Sequence, residues 1–299
     1  MTLKERLTYV GFRTAWTVCA WLPESIVKGF FKITADVTFA RNGIGAKRLR
    51  FNIARVLGKD PIDPAVVSVA RAAMESYFRY WADLFRLQTF TIDEIRARAR
   101  FENQHVLDDS LAKGKGVVVV LTHSGNWDFC GAFVASTYRN ITSVAERLKP
   151  EKLFDAFVEV RTRYGITVLP HKGGSRPPFE ILKERLSDGQ IVALASDRDF
   201  TRRGIPAKFF GVETLFPGGA VRLAQETGAA LIYAALWNDG KVAVLTLSGP
   251  IEVQGRSDVD IMQDVANEFE KGISRNPENW HMLQQIWPDH PERWGGKRR

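Results

Sequence analysis

The sequence predicts an α/β fold: a mainly parallel, partly mixed sheet flanked by helices, preceded by a helical N-terminal region. Three observations carry this. Apolar, β-branched runs recur from about residue 100 onward and alternate with helical patterns, as consecutive βα units do. The last two runs are separated only by Asn238-Asp239-Gly240-Lys241, whose Asp-Gly reads as a hairpin turn, so one edge of the sheet should be antiparallel. Residues 1 to about 95 show helical periodicity alone.

In chain order, Leu7 to Leu22 is apolar but interrupted by Arg13 and ended by Pro23, short of the roughly 20 uninterrupted apolar residues of a membrane span. It has no small-residue cleavage site of signal-peptide type and reads as an amphipathic helix. Pro23 and Glu24 start a second helix with Ile26, Phe30, Ile33 and Val37 at helical spacing and Lys28 and Lys32 on the opposite face. With Phe12, Trp16, Trp21, Phe30 and Phe31 crowded together, these helices suit an anionic membrane surface as well as they suit a core. Tyr77 to Arg86 is a further aromatic helix, expected in the core.

Strands are expected at Gly116 to Leu121, Ile141 to Ala145, Ile166 to Leu169, Gln190 to Ala195, Ala230 to Trp237 and Val242 to Leu247. Phe216-Pro217-Gly218 opens a helix closed by Gly228, and a last helix runs from about Asp258 to Ser274 before an aromatic tail with Trp280, Trp287 and Trp294. There is no internal repeat or low-complexity linker. The 299 residues are expected to form one domain, 1–95 being its membrane-facing helical part and 96–299 its α/β core and C-terminal helix.

Composition narrows the partners. A net charge of +8 favours anionic ones: nucleic acid, anionic lipid head groups, or a phosphorylated molecule such as coenzyme A. Cys19 and Cys130, far apart, form neither a disulfide framework nor a metal-ligand pattern, and point to a reducing, cytoplasmic setting.

The most informative motif is Thr-His-Ser-Gly-Asn-Trp-Asp128, directly after the Gly116 to Leu121 run. It puts an imidazole, His123, and a carboxylate, Asp128, in one turn at the carboxyl end of a buried strand, where open α/β sheets bind ligands. An imidazole takes a proton from an alcohol near neutral pH, and a carboxylate on its far nitrogen fixes the tautomer. Taken alone, the pair fits a hydrogen-bonded loop histidine equally well. Its surroundings weigh on the choice: Asp197 and Arg198 follow the strand ending at Ala195, with Arg202, Arg203 and Lys208 beyond, and Glu146 and Arg147 follow the one starting at Ile141. Arg161 and Arg163 lie on the next helix, and His171 to Arg176 forms a glycine-rich basic loop without Walker spacing.

Together these blocks resemble the bacterial lipid A biosynthesis type of acyltransferase, within the lysophospholipid acyltransferase group marked by His-x4-Asp. The matching stretches are Thr-His-Ser-Gly-Asn-Trp-Asp128, Ala-Ser-Asp-Arg-Asp-Phe200, Pro-Ala-Lys-Phe-Phe-Gly211 and Leu-Ala-Gln-Glu-Thr-Gly228. Within that group, Ala-Glu-Arg-Leu-Lys149 and Asn-Pro-Glu-Asn-Trp-His-Met-Leu-Gln284 look most like the actinobacterial phosphatidylinositol mannoside branch.

The resemblance implies a glycerolipid acyltransferase-like fold with no bound cofactor and no metal, working at the cytoplasmic face of the cell membrane as a peripheral protein. It also implies palmitoyl-CoA or another acyl-CoA as donor and a membrane glycolipid hydroxyl as acceptor. His123 would be the base and Asp128 its orienting partner, while Glu146, Arg161, Asp197 and Arg198 would line the substrates. Amides near Gly125 or Arg161 would serve a developing oxyanion. The residues after Phe216-Pro217 are Gly218-Gly219-Ala220, not the acidic-Gly-Thr-Arg of the glycerol-phosphate branch.

Two other readings use the same residues. A metal-dependent hydrolase built on His123, Asp128, Asp197 and His171 lacks any His-x-His or His-x-x-x-His pair. A basic lipid- or nucleic-acid-binding module meets no nucleic-acid motif, and its cations are scattered over loops, so no nucleic-acid partner is expected.

Overall fold

A computed structural model describes residues 2–147, 149–199, 201 and 203–289. Arg202, Leu148 and Phe200, as well as Trp294 of the aromatic tail, lie outside the described residues. In chain order the elements are α1 (Leu3–Trp21), α2 (Glu24–Ala40), α3 (Ile44–Leu57), α4 (Pro64–Leu87), α5 (Ile92–Ala97), β1 (Ala99–Glu102), α6 (His105–Leu111), β2 (Val117–Leu121) and α7 (Trp127–Tyr138). There follow β3 (Ile141–Ala145), α8 (Glu151–Arg163), β4 (Ile166–Pro170), α9 (Pro178–Ser187), β5 (Ile191–Ala195), β6 (Ile205–Phe209) and β7 (Val212–Phe216). The chain continues through α10 (Gly219–Thr227), β8 (Ala230–Asp239), β9 (Val242–Ile251) and α11 (Asp258–Arg275).

Seven strands make one sheet in the order β1-β9-β8-β2-β5-β3-β4. The pairs β2–β5, β2–β8, β3–β5 and β3–β4 are parallel, and β8–β9 is antiparallel, joined at Gly240 and Lys241 as the Asp-Gly turn predicts. β2 is buried on both faces: Val117 and Val119 enter one core cluster and Val118 and Val120 the other. A centre strand sandwiched between helix layers requires this continuous apolar run. The first cluster packs α1, α4, α7 and α8 against the sheet, and the second packs α10, α11 and the tail residues Trp280 and Trp287.

Two parts of the sequence reading need additions. β1 extends the mixed edge by pairing parallel to β9; its Ala-Arg-Phe-Glu contains no β-branched residue to mark it. The stretch 205–216, absent from the expected strands, is a hairpin of β6 and β7, with Phe210 and Gly211 in the left-handed turn positions. Its Phe209 and Phe216 are fully buried under Trp280 and α11, which is what holds a hairpin this short in place.

The helical N-terminal third centres on α4, against which α1, α2 and α3 pack. The stripe Ile26, Phe30, Ile33 and Val37 faces outward: Val27, Phe31 and Ala35 make the contact with the core, and Phe30 and Ile33 are 64% and 65% exposed. On α1 the exposed apolar residues Leu3, Leu7, Val10, Val18 and Trp21 also recur at helical spacing. Lys28 and Lys32 do not stand beside this face as free charges, as the sequence suggested. Lys28 pairs with Glu24 and Asp83, and Lys32 with Asp36 and Glu75, because α4 presents carboxylates to the inner flank of α2. The exposed cations of α1 are Lys4, Arg6 and Arg13. Among the described residues no helix is long and apolar enough to cross a membrane.

Candidate active site

The site is built by strand register. β2 and β5 run parallel with Leu121 opposite Ala195, and Ser196 N–H donates to Leu121 C=O one step further. Two residues past each end stand His123 and Asp197, so the register alone brings them side by side. His123 Nδ1 lies 2.5 Å from Asp197 Oδ1, and the His123 backbone N–H donates to Asp197 Oδ2 at 2.9 Å. Asp197 is fully buried. Burial opposes its ionisation, but the neighbouring His123 charge and the donors from His123 and Trp280 outweigh it and hold the carboxyl below its ordinary value. A carboxylate on Nδ1 places the imidazole proton there and leaves Nε2 as the basic nitrogen.

The orienting partner of His123 is therefore Asp197, which corrects the assignment of Asp128 to that role. Asp128 sits in the first turn of α7, where it faces α4 and α8. Arg161 donates to it through Nε at 2.5 Å and Nη2 at 3.2 Å, and Tyr80 through its hydroxyl at 2.8 Å. Burial and the Asp128 charge raise Tyr80 well above its usual range, so it remains a donor. Burial works against the Arg161 guanidinium, yet Asp128 overcomes it and raises Arg161 above its ordinary value. Trp127 separates the two pairs: it stacks on Tyr80 with centroids 3.9 Å apart and meets the His123 ring edge-on at 5.5 Å.

The loop between β2 and α7 is tightly held. Asn126 caps α7 through Oδ1, accepting from Phe129 N–H at 3.0 Å, and Ser124 bonds Thr122 rather than the helix. Gly125 has φ +58, and a Cβ there would come within 2.8 Å of the Leu236 backbone, so both conformation and space demand glycine. Its N–H donates to Asn279 C=O, and the His281 N–H donates to His123 C=O. The Gly125 amide is thus already bonded and does not stand ready as the oxyanion donor that the sequence reading offered.

His123, Asp128, Glu146 and Arg161 line one cavity of about 260 Å³. From this polar mouth it runs between α7 and the sheet, past Val119, Val134, Ile166 and Ala234 to Leu107 and Leu247. Its size is near the lower end of the roughly 300–1,000 Å³ of small-ligand pockets. Glu146 is exposed at the entrance, and Asp197 lies beneath His123 outside the lining. Arg198 is half-buried, next to Asp197 and Glu146, whose charges resist the lowering of its pKa by burial. Arg203 and Lys208 do not reach the lining; Lys208 is on β6, its backbone bonded to Gln263 of α11. Sequence reasoning missed Tyr80 and the segment Asn279 to His281, whose approach to the loop is purely tertiary.

A strand-end imidazole backed by a buried carboxylate thus faces an apolar cavity. The chain belongs to the bacterial lipid A biosynthesis acyltransferase family, which it matches over residues 2–288. It is 39% identical over 293 residues to the phosphatidylinositol mannoside acyltransferase of Mycolicibacterium smegmatis, covering 96% of this chain and 95% of that one. The enzyme of the same name from Mycobacterium tuberculosis is 40% identical over 285 residues, covering 93% of this chain and 87% of that one.

Removing one member of a buried ion pair strands the other charge. Arg161→Met should lower unfolding free energy by about 3–5 kcal/mol, and adding Asp128→Leu should restore most of it, as measured by urea denaturation. Equal stability of the single and double variants would show that the pair does not behave as a buried unit.

Proposed function

We propose that this protein moves a fatty acyl group from acyl-CoA, palmitoyl-CoA being the expected donor, to a mannose hydroxyl of a phosphatidylinositol mannoside. The observation that carries this reading is the His123–Asp197 pair at the mouth of an apolar cavity. The names of the relatives support the acceptor, and the net positive charge of the chain suits a phosphorylated donor and a phosphorylated acceptor.

In this mechanism the acyl chain lies in the cavity with its thioester carbonyl at the mouth. The acceptor hydroxyl gives its proton to His123 Nε2, which no described protein group occupies, and its oxygen attacks the carbonyl carbon. The new C–O bond forms, the C–S bond breaks, and the coenzyme A thiolate leaves with the proton returned by His123. Asp197 steadies the imidazolium formed in between. Arg161, the one Lys or Arg lining the cavity among the described residues, supplies positive charge toward the developing oxyanion. Its orientation is the task of Asp128. Glu146, exposed at the entrance, would bond the sugar, and Arg198, within electrostatic reach of it, would meet a phosphate.

The acceptor is a membrane lipid, and the outward stripes of α1 and α2 give the enzyme a way to reach it. Leu7, Val10 and Trp21 of α1 and Phe30 and Ile33 of α2 are exposed, and α1 adds Lys4, Arg6 and Arg13, the composition of a helix lying in an anionic membrane interface. On this reading the protein works as a peripheral one at the cytoplasmic face of the membrane.

Incubation with palmitoyl-CoA and purified phosphatidylinositol mannosides should release free thiol and add one acyl mass to the glycolipid. His123→Ala should reduce that rate by roughly 10²–10⁴-fold with the fold intact. Near-normal transfer by the folded variant would overturn the assignment.

Because Phe30 and Ile33 are exposed, Phe30→Glu with Ile33→Glu should leave the melting temperature nearly unchanged. The double variant should lose flotation with anionic vesicles. Undiminished flotation would remove α2 from the membrane contact.

A further inference from the structure

The segment Asn279 to His281, which follows α11, makes more contacts with the catalytic loop than any role given it so far requires. Ser124 and Trp280 form an antiparallel bridge, flanked by the bonds of Gly125 to Asn279 and of His281 to His123. The Asn279 side chain accepts from the backbone and side chain of Asn238, and His281 Nε2 lies 2.9 Å from Ser76 Oγ on α4. The strap is thus tied to the sheet and to the helical layer at once. Between these ties the Trp280 indole N–H donates at 3.1 Å to Asp197 Oδ2, the oxygen that already accepts from the His123 backbone.

We propose that Trp280 is a positioning residue that acts through Asp197: its indole N–H occupies one carboxylate oxygen and thereby limits the proton affinity of His123. The inference rests on His123 being the base of the proposed reaction. The donors described on Asp197 are the His123 backbone and the Trp280 indole on Oδ2 and the imidazole on Oδ1. Both Asp197 and Trp280 are fully buried, so water cannot stand in for a lost donor. A carboxylate relieved of one donor accepts more strongly from the remaining ones. The imidazolium is then stabilised and the pKa of His123 rises.

The titratable and charged groups around the pair come from several elements. Arg198 and Glu146 lie at the carboxyl ends of β5 and β3, Tyr233 comes from β8, His281 from the strap itself, and Asp128 and Arg161 from α7 and α8 across the cavity mouth; Tyr77 and Arg79 of α4 act on Arg198 and His281 in turn. His281 is pushed down to about 3 by burial, with the charges of His123 and Arg79 acting in the same direction, and so stays neutral across the working range. Trp287 provides an internal control. It is as fully buried as Trp280 and lies 6.1 Å from it, but its indole N–H donates to the Phe209 carbonyl.

The test is an NMR titration of the His123 imidazole in the wild-type protein, Trp280→Phe and Trp287→Phe, with the acyl-transfer rate followed across the same pH range. In Trp280→Phe the His123 midpoint should rise by roughly 0.5–1 pH unit, and the acid limb of kcat/KM should move with it. Trp287→Phe, which also loses a core hydrogen bond, should leave both unchanged. In the wild-type protein the Trp280 indole proton resonance should shift as His123 titrates, which tests the coupling even if Trp280→Phe fails to fold. A His123 midpoint that stays or falls in Trp280→Phe, equal shifts in both variants, or an indole resonance indifferent to His123 would overturn the proposal. If the midpoint rises while His123→Ala still transfers acyl groups, the electrostatic coupling stands and the catalytic assignment fails.

Discussion

The contact between His123 and Asp197 is the constraint on which the site depends. It joins two strand ends at the centre of the sheet, and its geometry is a consequence of parallel register: Leu121 opposite Ala195 puts the histidine opposite the aspartate two residues on. A buried carboxylate is costly unless it is saturated with donors, and Asp197 is served by the His123 ring, the His123 backbone and Trp280. Much of the surrounding architecture follows from meeting that requirement: glycine at 125, the strap over the loop, and the aromatic core of Phe209, Trp280 and Trp287 behind it.

A second buried pair does a different job. Asp128 and Arg161 tie α7 to α8, and Tyr80 fastens both to α4, the helix that also carries α1 and α2. The two pairs share one cavity mouth but not their partners, with Trp127 between them. In the proposed reaction this separates proton transfer, which needs a base free at Nε2, from charge stabilisation, which needs a cation fixed at the wall. In the proposed reaction the apolar cavity behind the mouth receives the acyl chain, and the outward stripes of α1 and α2 face the bilayer that supplies the acceptor.

Most of the sheet is legible, because Val117 to Leu121 and Ile191 to Ala195 are short apolar runs bounded by polar or glycine residues. Ala99 to Glu102 is not, since a four-residue edge strand without β-branched residues looks like the end of a helix. The hairpin of Ile205 to Phe216 was hidden by the arginines before it. The spacing of Ile26, Phe30, Ile33 and Val37 identified a stripe, but period alone does not say whether it faces core or solvent. Nearness in sequence points to Asp128 as the partner of His123, whereas Asp197 lies 74 positions away and becomes a neighbour only through the adjacency of β2 and β5. Of the residues named for the site, His123, Asp128, Glu146 and Arg161 line the cavity and Asp197 lies against His123; what the chain order could not supply is which carboxylate meets the histidine.

That division between the two carboxylates is open to one direct measurement. The ¹⁵N shifts of the His123 ring report which nitrogen carries the proton, and they can be compared in Asp197→Asn and Asp128→Asn at a pH where the imidazole is neutral. The account predicts that the wild-type protein and Asp128→Asn share the Nδ1–H tautomer, whereas Asp197→Asn loses it. Loss of that tautomer in Asp128→Asn with its retention in Asp197→Asn would contradict the assignment of Asp197 as the partner of the base.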